Sequence, residues 1–258
     1  MVGWVSSWLV RGVEDVRYQP VPMRPLSESF LLGLPPGLKV LELGGYELTP
    51  DLLRGLERFE ELEELWLLAS TLTLPAREAL LDLRCPRLRE LSLRISSGLE
   101  GADQVRFWER PLFQGVRRLN LNGSGLGVSA LRALARSSLG PRLTRLSTPQ
   151  LGHEEVEALA GFPTLNELRI ELHFGSSEAN TATLVRALPP NESWPQATRI
   201  EFSGQGSWPG LEEGLVRTWG EAFQERVVLN FLFRGAAVAV VRPGPIRRRH
   251  PVLPPPGA

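Results

Sequence analysis

The stretch LEELWLLASTLTLPAREALLDLRCPRLRELSL, Leu62 to Leu93, contains one phrase twice: LEELWL from Leu62 and LRELSL from Leu88. Each copy places leucine at its first, fourth and sixth positions and a non-leucine between. That alternation is the mark of a short strand with one buried face. Between the copies lies LPAREALLDL, whose apolar residues recur at three- and four-residue spacing and predict a helix.

The phrase recurs on both sides. LKVLEL from Leu38 and VRRLNL from Val116 are good copies. LTRLST from Leu143, LNELRI from Leu165, ATRIEF from Ala197 and RVVLNF from Arg226 are weaker, and VEDVRY from Val13 begins the series. Successive copies start 22 to 32 residues apart. Helical patterns follow several of them. TPDLLRGLERFEEL has Thr49 as N-cap and Pro50 at the first helical position. GVSALRALARSSL, GHEEVEALAGF and SSEANTATLVRAL continue the series. One such strand–helix piece cannot bury its apolar side alone, so the pieces must stack.

The pattern resembles the leucine-rich repeat family, specifically its long, helix-containing ribonuclease-inhibitor-like subclass, over residues 13–234. The resemblance implies an α/β solenoid with a curved, parallel concave sheet and helices on the convex side. It also implies a function in protein recognition, regulation or inhibition. The family's usual asparagine at the ninth position is replaced here by Tyr46, Ser70, Ser96, Ser124, Leu151, His173, Gln205 and Arg234. Hydroxyls are expected to replace part of the asparagine ladder in the middle copies. Thr148, sixth in the fifth copy and followed by Pro149, predicts a weak or distorted strand there.

The ends read differently. Residues 1–12 are expected to form an N-terminal cap. RVVLNFLF and AAVAVVR, joined by Arg234-Gly235, predict a β-hairpin that caps the sheet edge, with its second strand at 235–242. The Pro- and Arg-rich residues 243–258 predict a disordered tail.

Composition excludes several functions. The chain has 258 residues, no net charge and 42% hydrophobic residues, so no global field draws it to nucleic acid. Lys39 is the only lysine, a skew typical of GC-rich bacterial genomes, and it leaves no lysine for a phosphate loop. Cys85 is the single cysteine, so no intramolecular disulfide forms, consistent with a cytoplasmic protein. No apolar run spans a bilayer, and MVGWVSSWLV lacks the basic flank of a signal peptide.

NLNGSGLGVSALRAL, Asn120 to Leu134, imitates a dinucleotide-binding turn. The fingerprint's third glycine is Val128 here, and the next strand ends without a carboxylate. Gly123, Gly125 and Gly127 therefore read as turn formers, and a nucleotide-binding enzyme is a remote alternative. Cys85 reads as a buried, inert residue at the end of a helix. His153, with Glu154 and Glu155, reads as a helix start rather than a metal site. Trp4, Trp8, Trp108, Trp208 and Trp219 read as packing residues. IRRRH, residues 246–250, offers a weak contact to nucleic acid or an anionic surface.

The third, fifth and seventh positions of each phrase face away from the leucines. In parallel register they form three rows, closing with Val228, Asn230 and Leu232 in the last phrase. Opposite charges in these rows, Glu90 with Arg118 and Arg145 with Glu167, can pair with each other. Trp66 beside Leu68 has no core to enter on the outward face and predicts a contact patch, the alternative being burial of Trp66 under an N-terminal cap segment. The expected partner-binding face comprises Trp66, Leu68, Arg94, Asn120, Asn122, Arg145, Arg169 and Glu171. No catalytic, cofactor or metal site is expected, and a monomer that binds a protein partner is the favoured reading.

Overall fold

The computed structural model describes residues 15–18, 28–44, 48–148, 158–159, 161–172, 199–205, 213–214, 216–217, 227–233 and 236–241. The chain is α/β and divides into two compact units, Met1–Leu143 and Thr144–Ala258. The expected cap at 1–12, the tail at 243–258 and the predicted helix over SSEANTATLVRAL lie outside the described residues. So do His153, His173, His250, Trp4, Trp8, Trp208 and Trp219.

In the N-terminal unit five strands pair in chain order and in parallel. They are β1 (Asp15–Tyr18), β2 (Val40–Gly44), β3 (Glu64–Thr71), β4 (Glu90–Ser97) and β5 (Arg118–Asn120). In the C-terminal unit β6 (Arg145–Thr148), β7 (Glu167–Leu172), β8 (Arg199–Gln205) and β9 (Val227–Phe233) do the same. There β10 (Ala236–Val241) pairs antiparallel with β9, as the apolar runs flanking Arg234-Gly235 predict.

Register follows the phrases. Val40, Glu64, Glu90 and Arg118, each third in its phrase, stand side by side. Two backbone hydrogen bonds explain why. The carbonyl of Lys39, second in its phrase, accepts from the N–H groups of both Glu63 and Glu64 at 2.8 and 2.9 Å. Glu63 O holds Arg89 and Glu90 in the same way, Arg89 O holds Arg117 and Arg118, and Thr144 O holds Asn166 and Glu167. The second bond closes the turn into each strand. Leu62, Leu88, Val116, Leu143 and Leu165 donate to the carbonyls three residues earlier, on Phe59, Cys85, Phe113, Gly140 and Phe162.

Leucines at the first, fourth and sixth positions form the core, and from Leu38 to Leu143 every one of these places is buried. Thr148 occupies the sixth place of its phrase and is buried as well. β6 is short, four residues ending at Thr148, but undistorted against β7: Thr148 stands beside Ile170, a small β-branched side chain in the leucine site. A correction falls at the other end. Glu201 stands beside Val228, so the last phrase is displaced by two residues and Val228, Asn230 and Leu232 each move one row along. A shift of two preserves which face each residue occupies, so the sheet tolerates it.

Helices α1 (Glu28–Leu32), α2 (Pro50–Gly55), α3 (Leu74–Leu81) and α4 (Val105–Trp108) connect strands of the N-terminal unit, and α5 (Val128–Arg136) follows its last strand. Thr49 and Thr73 cap α2 and α3: their Oγ1 atoms accept from the Leu52 and Ala76 N–H groups at 3.2 and 3.4 Å. α2 is shorter than its sequence pattern, because the chain tightens into a 3-10 turn at Leu56–Arg58. α5 buries Ala130, Leu131, Ala133 and Leu134, the apolar stripe of its pattern. No helix among the described residues is long and apolar enough to cross a membrane.

Candidate binding face

β2, β3 and β4 form a grid on the side opposite the leucine core. Their registers place Glu42, Trp66 and Ser92 in one row and Gly44, Leu68 and Arg94 in the next. Asn120 extends the first row on β5. Adjacent strands lie about 4.8 Å apart, so these side chains are immediate neighbours. Trp66 and Leu68 are half-buried and Arg94 is exposed. Four of the expected contact residues, Trp66, Leu68, Arg94 and Asn120, are thus brought together.

Other expected residues stand differently. Asn122 is only 5% exposed and does not extend the outer row. β5 stops at Asn120, whose Oδ1 accepts from the Asn122 N–H at 3.0 Å and bends the backbone out of the strand. Asn122 Oδ1 is left buried without a hydrogen-bond partner. Arg145 and Arg169 belong to the C-terminal unit and are engaged in ion pairs there. Arg145 donates to Glu167 Oε2 through Nε and Nη2 at 2.7 and 2.6 Å, and Arg169 Nε lies 3.6 Å from Glu201 Oε1. Glu171 stands beside Ser203 by register, and its side chain lies outside the described residues.

Charge pairing also shapes the N-terminal grid. Glu64 and Glu90 are neighbouring carboxylates, and Arg118 bridges them, with Nε 2.9 Å from Glu90 and Nη2 3.4 Å from Glu64. The sequence pairs Arg118 with Glu90 alone; Glu64, 54 residues away in the chain, is added by register. Such partly exposed pairs contribute about 0–1 kcal/mol each, so their main effect is to fix side-chain direction. Ser92, at the centre, is fully buried and its Oγ has no hydrogen-bond partner. An outward serine was expected there. Between strands bearing Trp66 and Asn120, so short a side chain is overtopped by its neighbours.

The glycine turn is occupied by its own bonds. Gly123 and Gly125 adopt φ of 73° and 65°, the left-handed conformations that glycine permits. Gly127 does not: at φ −96° it is the N-cap of α5. Ser124 donates to Leu121 O through both its N–H (3.0 Å) and its Oγ (2.6 Å). With the Asn122 N–H held by Asn120, two of the amides a phosphate would need are committed within the turn. The buried Ser124 hydroxyl, in the ninth position of its phrase, bonds within its own turn rather than to a neighbouring one. Elsewhere the hydroxyl contact falls one place later, where Ser97 Oγ donates to Thr71 Oγ1 at 3.0 Å.

Cys85 lies beyond the end of α3, in the place held by Phe59, Phe113 and Phe162 before other strands. It is buried. Burial, aided by the carboxylate of Glu57, pushes its thiol up to about 11 from 9.0. The neutral thiol is therefore retained in the folded chain, while the unfolded chain ionises near pH 9. Stability from this group is complete below that pH and is lost between pH 9 and 11, by about 3 kcal/mol. Comparison with Cys85→Ala by urea denaturation at pH 8 and pH 11 should show it. An unchanged difference would dismiss the thiol as its source. Among the described residues no group of histidine, cysteine and carboxylate side chains is placed to hold a metal.

No protein-family model matches the chain, and no curated protein matches it.

Proposed function

We propose that this chain is a leucine-rich-repeat solenoid of the ribonuclease-inhibitor-like subclass, and that it acts without catalysis by binding a protein partner on the strand face around Trp66. The observation that carries the reading is the grid itself: Trp66, Leu68 and Arg94 share one face, turned from the leucine core and aligned by parallel register. Tryptophan and arginine dominate interface energetics, and a half-buried tryptophan beside a leucine on an outer sheet face makes an apolar patch of the kind that marks contact sites. The recurring two-donor carbonyls at Lys39, Glu63 and Arg89 support the repeat assignment, since each ties one phrase to the next by the same bond. Cytoplasmic location and a monomeric state complete the proposal.

The test is affinity capture from a lysate of the source organism with the native chain and with a Trp66→Ala, Arg94→Glu variant of equal stability. A protein held by the native chain should lose at least about thirtyfold in affinity for the variant, the effect of a contact worth 2 kcal/mol or more. Equal retention of that protein by both chains would move the site off this face.

A further inference from the structure

Away from the strand face, α3 and α4 flank a cleft of about 500 Å³ within the N-terminal unit. Its volume lies in the range of small-molecule sites. Leu81 and Phe107 supply an apolar wall, and the polar lining includes three arginines, Arg77, Arg106 and Arg110, against two glutamates, Glu78 and Glu100.

The arginines are not equivalent. Arg77 is held in place: its Nη1 donates to Glu100 O and Oε2, both at 3.0 Å, while its Nε and Nη2 reach Glu78 Oε1 at 3.4 Å. Arg110 divides itself between Glu78 at 3.2 Å and Asp82 at 2.6 Å, and these hydrogen bonds keep its guanidinium firmly charged. Arg106 is exposed and makes no ion pair among the described residues. Glu78, Glu100 and Asp82 are thus engaged by Arg77 and Arg110, and Arg106 is the cleft arginine whose donors no carboxylate among the described residues takes up. Gln104 adds a neutral amide donor beside it.

We infer that this cleft binds a small organic acid, its carboxylate on Arg106 and Gln104 and its apolar body against Phe107 and Leu81. A carboxylate suits a guanidinium that has donors to spare, and the bond is stronger than one between neutral groups. The apolar wall gives the rest of the ligand a reason to leave water. Arg77 can take a share of the charge, because its partner Glu100 is largely exposed and such a pair is easily exchanged. The inference is independent of the partner on the strand face.

N-acetylphenylalanine, which carries both halves of the proposed ligand, is the probe. Titrated into the full chain and followed by the backbone amide NMR signals of Arg106 and Phe107, it should bind saturably in the millimolar range or tighter. N-acetylphenylalaninamide, which lacks the charge, should bind about tenfold more weakly, as should inorganic phosphate, which lacks the apolar body. Arg106→Glu, a surface change that leaves the circular dichroism spectrum intact, should cost the acid about tenfold or more. Equal binding of acid and amide would remove the carboxylate from the proposal, and phosphate binding as well as the acid would remove the apolar wall. Saturation absent up to tens of millimolar, or undiminished in Arg106→Glu, would overturn it.

Discussion

Replacing Trp108 with alanine is expected to lower the stability of the N-terminal unit by about 3–5 kcal/mol, the range for deleting a buried aromatic side chain. Trp108 is fully buried at the end of a four-residue helix. Its ring meets Phe107 edge-on at 4.9 Å between centroids and Phe113 at 5.2 Å. Its indole N–H donates to Ala102 O at 2.7 Å. So short a helix has no stability of its own, and burial of this ring together with that of Phe107 holds it. Trp108→Phe should restore most of the packing yet strand the Ala102 carbonyl, for an intermediate loss of about 1–3 kcal/mol. Urea denaturation followed by circular dichroism measures both. Losses below about 1 kcal/mol for both variants would refute the cluster's role.

Gly98→Ala is the second large effect. Gly98 has φ of 97°, and an added Cβ would lie 2.3 Å from Leu72 O and 2.8 Å from Leu72 Cβ and N. These are mostly backbone atoms of the preceding turn, pinned where the Leu72 N–H donates to Ser97 O at 3.0 Å. They cannot rotate away as a flexible side chain would. Conformational strain of about 1–3 kcal/mol therefore adds to a similar cost for forcing the two turns apart. Gly123→Ala separates the two contributions. Its φ of 73° carries the strain, but no atom lies within 4 Å of the new methyl. Thermal denaturation should show Gly98→Ala losing at least twice as much stability as Gly123→Ala. Equal losses would mean that the close approach to Leu72 is relieved at no cost.

Both positions sit where the sequence pattern is least regular. The segment after LRELSL runs RISSGLEGADQVRFWERPLFQ, with no extended helical stripe, and α4 is invisible to a periodicity argument because four residues complete barely one turn. The cleft lined by Arg77, Arg106 and Arg110 was hidden for the same reason. Its arginines come from α3, α4 and the turn beyond, up to 33 residues apart, and nothing in their spacing brings them together. Cys85 was easier: its place in the phrase is one that phenylalanines fill elsewhere, which accounts for its burial.

The sequence by itself determined the strands and their buried face, because leucines two apart within each phrase can be buried together on one face only, and its resemblance to the leucine-rich repeat family implied their parallel order. It also determined the caps at Thr49 and Thr73 and the pairings of Glu90 with Arg118 and Arg145 with Glu167, which follow once register is known. Tertiary structure alone decided how far each outward side chain reaches solvent. Ser92 disappears between taller neighbours, Asn122 leaves the row because Asn120 captures its amide, and Arg118 bridges to a second glutamate. Exposure on a sheet face depends on the heights and hydrogen bonds of neighbours two strands away, and periodicity within one strand carries no record of them.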